Sequence, residues 1–216
     1  MSKEFKEKGY LVVRNFFDKV VIDLAAKYFD LSYKDMAHVK SNKREHSLDY
    51  DKDVASTVNF SKDKLSSAIL LQYGPKISKL LDYNLTATYT FARAYVKGDD
   101  LLAHTDRESC EISATCPVFD SSGAPSVIYI SKDKWWDISD NKARSYTWDE
   151  AKVKIPHERI ELYPGDILFY KGIDHYHWRE PLQSDLLFQF FMHMVDSDGP
   201  HVEWANDKKS GFGMRK

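Results

Sequence analysis

From Leu85 onward the chain is a succession of short runs: ATYTFARAYV, CEISATCPVF, SVIYI, RIELYP, DILFYKG, YHWREPL and LLFQFFMHMV. Clusters of Gly, Pro, Asp and Ser divide them. Runs of this length, rich in β-branched and aromatic residues, read as strands. Many short strands at close intervals must bury their apolar sides against one another, so the pattern predicts an antiparallel sandwich or barrel. The last run alternates, with Leu187, Gln189, Phe191 and His193 on one side and Leu186, Phe188, Phe190 and Met192 on the other. Either side can face the core.

Ahead of this block the reading is mixed. GYLVVRNFF reads as a short strand. Asp18 then stands at the N-cap of a helix, KVVIDLAAKYF, whose Val20, Val21, Leu24, Ala25 and Tyr28 recur at helical spacing and are expected to pack on the core. Lys34 to Asp53, with His38 and His46, is charged and without period, and reads as a mobile surface loop bordering a site. Helical patterning returns in KDKLSSAILLQYG and PKISKLLDYN. The fold class is therefore mainly β with flanking N-terminal helices (α+β), in one domain over residues 1–216: a helical part over about 1–84 and a β core over about 85–196. No repeat or linker divides the chain.

Composition excludes several functions. Lys plus Arg (31) nearly balances Asp plus Glu (33), so no electrostatic footprint calls for nucleic acid or an anionic membrane. No apolar run reaches the roughly 20 residues of a membrane span, and MSKEFKEKGYLVV is charged where a signal peptide needs an apolar core. The expectation is a soluble, cytoplasmic protein whose partner is small or neutral. Cys110 and Cys116 are too few for a disulfide scaffold and read as reduced core thiols.

One stretch invites chemistry. In YVKGDDLLAHTDRESCEIS, His104 and Asp106 sit two positions apart in what reads as a strand, so both side chains leave on one face. An imidazole and a carboxylate are two members of a 2-His-1-carboxylate set, which leaves open positions suited to ferrous iron. The third member must be a late histidine. In ELYPGDILFYKGIDHYHWREPL a tight PGD turn and an apolar strand lead to His175 and His177, which share a strand face, so parity does not choose between them.

At this point the sequence resembles the Fe(II)/2-oxoglutarate-dependent dioxygenases, in their prolyl 4-hydroxylase-like branch, over about residues 9–193. The resemblance implies a double-stranded β-helix (jelly-roll) core. It also implies a second histidine four positions before a proline; His177 meets this with Pro181, whereas His175 is followed by Arg179. The implied ligands are His104, Asp106 and His177, holding Fe(II) with 2-oxoglutarate as cosubstrate, oxygen consumed and ascorbate supportive. His175 is then a histidine at the pocket rim or behind the ligands. Tyr95 falls where such enzymes place a tyrosine hydroxyl against 2-oxoglutarate. An intact Asp106 implies hydroxylation rather than halogenation.

The chain departs from the family at the anchor for the distal carboxylate of 2-oxoglutarate. Where relatives carry Arg or Lys, this chain has Asp185, Leu186 and Leu187. Arg179, two beyond His177, is the first substitute by strand parity. Arg93, two before Tyr95, is the second, and Arg107, of inverted parity beside Asp106, is the third. The missing basic residue is the best argument for the competing class, a non-catalytic cupin-like metal- or ligand-binding module. A zinc hydrolase on the same ligands is chemically open but ranks last, since the chain has no HExxH helix. Trp135 and Trp136 lie in a long polar insertion, where they either line a peptide groove or cap the core.

Overall fold

The computed structural model describes residues 1–41, 58–61, 63–138 and 145–212. Among the described residues two antiparallel sheets face each other. The larger runs β1 (Tyr10–Val13), β9 (Ile167–Tyr170), β5 (Ile112–Asp120), β11 (Leu186–Asp196), β3 (Leu85–Val96) and β2 (Val58–Ser61), in that order. The smaller runs β7 (Ser145–Tyr146), β4 (Leu101–His104), β10 (His177–Arg179), β6 (Ser126–Ser131) and β8 (His157–Leu162). The chain switches sheets from β3 to β4, β4 to β5, β5 to β6, β8 to β9, β9 to β10 and β10 to β11. Chain neighbours therefore face one another across the interior, as in a double-stranded β-helix.

Helices α1 (Ser2–Lys8), α2 (Lys19–Ser41) and α3 (Lys64–Leu81) belong to the N-terminal part, and α4 (Trp148–Lys154) lies between β7 and β8. The larger sheet buries its outer side against the N-terminal helices. Phe188, Phe190, Met192 and Met194 of β11 join Phe29 of α2 and Leu70, Ile77 and Leu81 of α3 in one apolar cluster. The opposite side of β11 is also buried: Leu187 and Phe191 enclose Tyr95 and Leu101, and Gln189 and His193 face inward with them. The even positions are thus the helix-covered core, and the odd positions line the jelly-roll interior.

The structure corrects several expectations. On α2, Val20 and Leu24 are 73% and 58% exposed and Tyr28 is 39% exposed, whereas Ile22, Ala25 and Phe29 are buried. Phe29 packs on Phe60 and Phe188 and turns the helix toward itself, so only Ala25 and part of Val21 remain from the predicted stripe. The helix runs on to Ser41, so residues 34–41, His38 included, are helical rather than loop; residues 42–53, with His46, lie outside the described residues. The two helical stretches meeting at Pro75 form a single helix. Proline removes one hydrogen bond there, but Ile69 and Leu70 before it and Ile77 and Leu81 after it are all buried.

The long polar insertion holds a strand, β7, and a helix, α4, that its composition hid. The signal for α4 is TWDE, a capping box in which Thr147 and Glu150 satisfy each other's end of the first turn. No described helix is long and apolar enough to cross a membrane.

Candidate metal centre

β10 lies beside β4 with His177 opposite His104, which puts the two imidazoles on adjacent strands, ring centroids 4.4 Å apart. Asp106 is not on the strand: β4 ends at His104. The carboxylate reaches the same point because the segment after β4 is tied back, its Asp106 amide donating to the Gly172 carbonyl at 2.8 Å. Asp106 Oδ1 then stands 3.7 Å from His104 Nε2 and 3.5 Å from His177 Nε2. Strand parity predicted the convergence; a turn achieves it.

Both imidazoles are oriented in the same way. Nδ1 of His104 lies 2.7 Å from the Leu102 carbonyl and Nδ1 of His177 lies 3.1 Å from the His175 carbonyl. A carbonyl only accepts, so each Nδ1 carries the proton and each Nε2 is left to face the carboxylate. Burial pushes the Asp106 carboxyl up, but the adjacent His177 imidazole and its hydrogen bond, followed by His104 and His193, hold it well below the usual carboxylate range. Burial pulls His177 down, and Asp106 overrides it, leaving this imidazole above its ordinary value.

This donor set fits a divalent cation of intermediate softness. It offers two imidazole nitrogens and one ionised carboxylate, with ligand atoms within 4.8 Å of one another. Adjacent ligands about 2.1 Å from a metal stand roughly 3 Å apart, so a cation draws the three in by about half an ångström.

Behind Asp106 a polar network was not foreseen. Ser113 Oγ donates to Asp106 Oδ2 at 3.0 Å and lies 2.9 Å from His193 Nδ1. His193 stacks on Tyr89 and Phe91, and its Nε2 is buried without a hydrogen-bond partner. Asp106, Cys110 and His193 form a second close group of potential ligands. Burial pushes the Cys110 thiol far up, and it hydrogen-bonds to the Tyr89 hydroxyl at 3.1 Å, so it is a protonated thiol rather than a ligand. Cys110 and Cys116 are both free and buried, as the sequence implied. Only the shared parity of His193 and Gln189 on a mostly apolar run hinted at this network.

Gly172 closes the cradle from the other side. A Cβ there would lie 2.2 Å from Asp106 Oδ2, 2.7 Å from the Cys110 carbonyl and 2.9 Å from Ser113 Oγ.

The structure gathers Tyr95, Arg93 and Arg179 into one buried polar cluster. Arg179 is 3% exposed; it donates to Ser126 Oγ at 3.0 Å and to Gln189 Oε1 at 2.5 Å, and its guanidinium carbon lies 5.0 Å from the Tyr95 ring centroid. Its Nε is buried without a hydrogen-bond partner, and no carboxylate lies within ion-pair distance of it among the described residues. Arg93 donates to Asn59 at 2.9 Å and to the Tyr95 hydroxyl at 3.1 Å. The two arginines ranked as rivals therefore flank the same tyrosine. Arg107 is elsewhere, paired with Asp207 at 2.9 Å and lying over the Tyr89 and Trp204 rings.

Two other sequence concerns are resolved. Asp185 is exposed and Leu187 is fully buried beside Tyr95, so the aspartate does not face this cluster. His175 points away from the centre: its Nε2 is pressed against Gly9, where a Cβ would come within 2.1 Å. Trp135 and Trp136 are 37% and 46% exposed, and the Trp135 amide donates to the Asp174 carbonyl on the loop leading to β10.

Burial holds the His193 pKa down to about 4. Below about pH 6.5 the unfolded chain takes up a proton at this position that the folded chain refuses until about pH 4, so stability rises with pH across this window. His177, whose value is raised, acts oppositely but only above about pH 6.5, and Asp106, whose value is lowered, acts in the same direction as His193 but only below about pH 4. Urea unfolding of the metal-free protein between pH 7 and pH 4.5 is expected to show a loss, relative to His193→Phe, on the order of 2 kcal/mol. Equal slopes in the two proteins would refute this.

No protein-family model matches the chain, and no curated protein matches it in sequence. Solved structures do resemble it. A prolyl-4-hydroxylase from Pseudomonas putida superposes with a TM-score of 0.56 at 12% identity, over 89% of this chain and 96% of that one. SnoK, a non-heme alpha-ketoglutarate-dependent carbocyclase from nogalamycin biosynthesis, gives 0.61 at 13% identity, over 91% and 83%. HygX from Streptomyces hygroscopicus, solved with nickel, 2-oxoglutarate and hygromycin B bound, gives 0.54 at 13%, over 88% and 85%. These likenesses carry the architecture, and on that ground the chain has the double-stranded β-helix fold of the Fe(II)- and 2-oxoglutarate-dependent oxygenases, the prolyl 4-hydroxylase-like branch among them.

Proposed function

We propose that the protein is a non-haem Fe(II)/2-oxoglutarate-dependent dioxygenase that hydroxylates a small molecule or a peptide in the cytoplasm. The observation that carries this reading is the pairing of two features in one jelly-roll interior: the His104–Asp106–His177 triad and the buried, carboxylate-free guanidinium of Arg179. His104, Asp106 and His177 would hold iron on one side, leaving the opposite positions for cosubstrate and oxygen. With iron bound, oxidative decarboxylation of 2-oxoglutarate supplies the oxidising power for attack on an unactivated C–H bond.

The chain's own residues contribute geometry and charge. Arg179 offers the distal carboxylate of 2-oxoglutarate a charge-assisted hydrogen bond at its unpartnered Nε edge. Tyr95, held by Arg93, presents its hydroxyl beside that place. A buried arginine supported only by neutral groups is costly on its own, and an anionic ligand offsets that cost. This also weakens the binding-module alternative, whose main argument was a missing basic anchor. An intact carboxylate at position 106 favours hydroxylation over replacement by a halide ligand.

Anaerobic reconstitution with Fe(II) followed by 2-oxoglutarate tests the proposal. A visible metal-to-ligand charge-transfer band is expected in wild type and lost in Asp106→Ala. Iron uptake without a band on saturation with 2-oxoglutarate would shift the reading to a binding module, and preference for zinc with no response to 2-oxoglutarate would shift it to a hydrolase.

A further inference from the structure

We infer that His193, acting through Ser113, is a positioning residue that decides which oxygen of Asp106 faces the two imidazoles. This rests on the metal-centre reading and concerns residues that the ligand set itself does not include.

A carboxylate has two equivalent oxygens and rotates unless something distinguishes them. Here Oδ1 faces His104 and His177, and Oδ2 takes the Ser113 hydroxyl. An ionised carboxylate only accepts, so Ser113 must spend its single proton on Oδ2. Its oxygen is then free only to accept; His193 Nδ1 at 2.9 Å is positioned to donate, and the Tyr170 hydroxyl also comes within hydrogen-bonding reach of Ser113. The Cys110 carbonyl, 3.3 Å from the same hydroxyl, competes for that proton. A donor arriving from His193 sets the hydroxyl's direction and settles the competition in favour of Asp106. The relay therefore runs from His193 Nδ1–H to Ser113 Oγ–H to Asp106 Oδ2.

The burial of His193 supports a role of this kind. The ring stacks at 4.4 Å on Tyr89 and at 5.7 Å on Phe91, a setting that a phenyl ring would fill equally well. Its Nε2 has no partner, so the imidazole leaves a polar atom unsatisfied in the interior. Among the described residues its side chain hydrogen-bonds to Ser113 alone. The neighbouring Tyr89 hydroxyl and Cys110 thiol bond to each other.

The test is Co(II) binding to the metal-free protein, read by its absorption and by calorimetry, with urea unfolding of the same samples. Ser113→Ala and His193→Phe are each expected to weaken Co(II) binding by about tenfold, the usual scale for a group orienting a ligand. Because both break one relay, the double variant is expected to be no weaker than either single one. His193→Asn, whose side-chain amide can donate from nearly the same place as Nδ1, is expected to retain most of the affinity. Metal-free His193→Phe is expected to unfold at the same or higher urea concentration than wild type, so that its weaker Co(II) binding does not come from a loosened fold. Wild-type affinity in His193→Phe, additive losses in the double variant, or equal losses in His193→Asn and His193→Phe would overturn the inference. No Co(II) uptake by wild type would instead overturn the metal-centre reading on which it rests.

Discussion

Gly172→Ala is expected to weaken Co(II) binding at the proposed centre while the fold survives. The added Cβ would lie 2.2 Å from Asp106 Oδ2, and behind it stand the Cys110 carbonyl and Ser113 Oγ. None of these is the loose end of a long side chain, so the collision cannot be relieved cheaply. The Asp106 carboxylate is the smallest thing able to turn, and turning removes it from His104 and His177. Overpacking of this kind costs about 1–3 kcal/mol, which most domains survive. Loss of a properly placed ligand is expected to weaken Co(II) binding by on the order of 100-fold, more than loss of an outer partner does. Titration of Co(II) alongside urea unfolding checks both parts. An alanine variant that binds Co(II) like wild type would show that the carboxylate has room the structure does not provide.

Arg179→Met separates cosubstrate binding from stability. The guanidinium is buried among the neutral groups of Ser126, Gln189 and Tyr95, and methionine matches its length without its charge. Removing a buried charge that lacks a counter-ion is close to neutral or stabilising, while stripping a donor from Gln189 costs something, so metal-free stability is expected to change by less than about 2 kcal/mol. Binding of 2-oxoglutarate is a different matter. A carboxylate brought into this interior without its cation loses about 3–5 kcal/mol, which is at least about 100-fold in affinity. Spectral titration of the Fe(II)-loaded variant with 2-oxoglutarate measures this. If Arg179→Met binds normally and Arg93→Met does not, the anchor is Arg93, on the other side of Tyr95.

Much of the fold was legible because its signals are local. Alternation in LLFQFFMHMV and the apolar runs of SVIYI and DILFY mark strands without reference to anything distant, and β6, β9 and β11 lie where these runs placed them. What was not legible depended on partners far along the chain. The burying side of α2 is set by Phe29 meeting Phe60 and Phe188, a contact that periodicity within the helix does not contain. Pro75 looked like a break because its cost is local, while the compensating burial comes from the sheet.

The site divides in the same way. His104 could be nominated from its spacing to Asp106, His177 only through the family resemblance that places a proline four positions on, and Arg179 from parity with His177. Ser113, Gly172 and Gln189 could not, because each matters only through a neighbour brought near by the jelly roll. Asp185 misled for the opposite reason: its place in sequence suggested a repulsive contact, and its exposure removes it.

The orienting carbonyls of Leu102 and His175 have one further consequence. Each lies two residues upstream of the imidazole it steers, Leu102 on β4 itself and His175 on the turn that leads into β10. Each histidine therefore carries its own aiming device, a three-residue module independent of any other side chain. The carboxylate has no such autonomy, since its place is set jointly by the segment after β4, the start of β5 and the turn before β10. Wear on the centre is thus unequal: substitutions scattered through the protein erode the oxygen ligand first and leave behind an intact, correctly aimed pair of nitrogens.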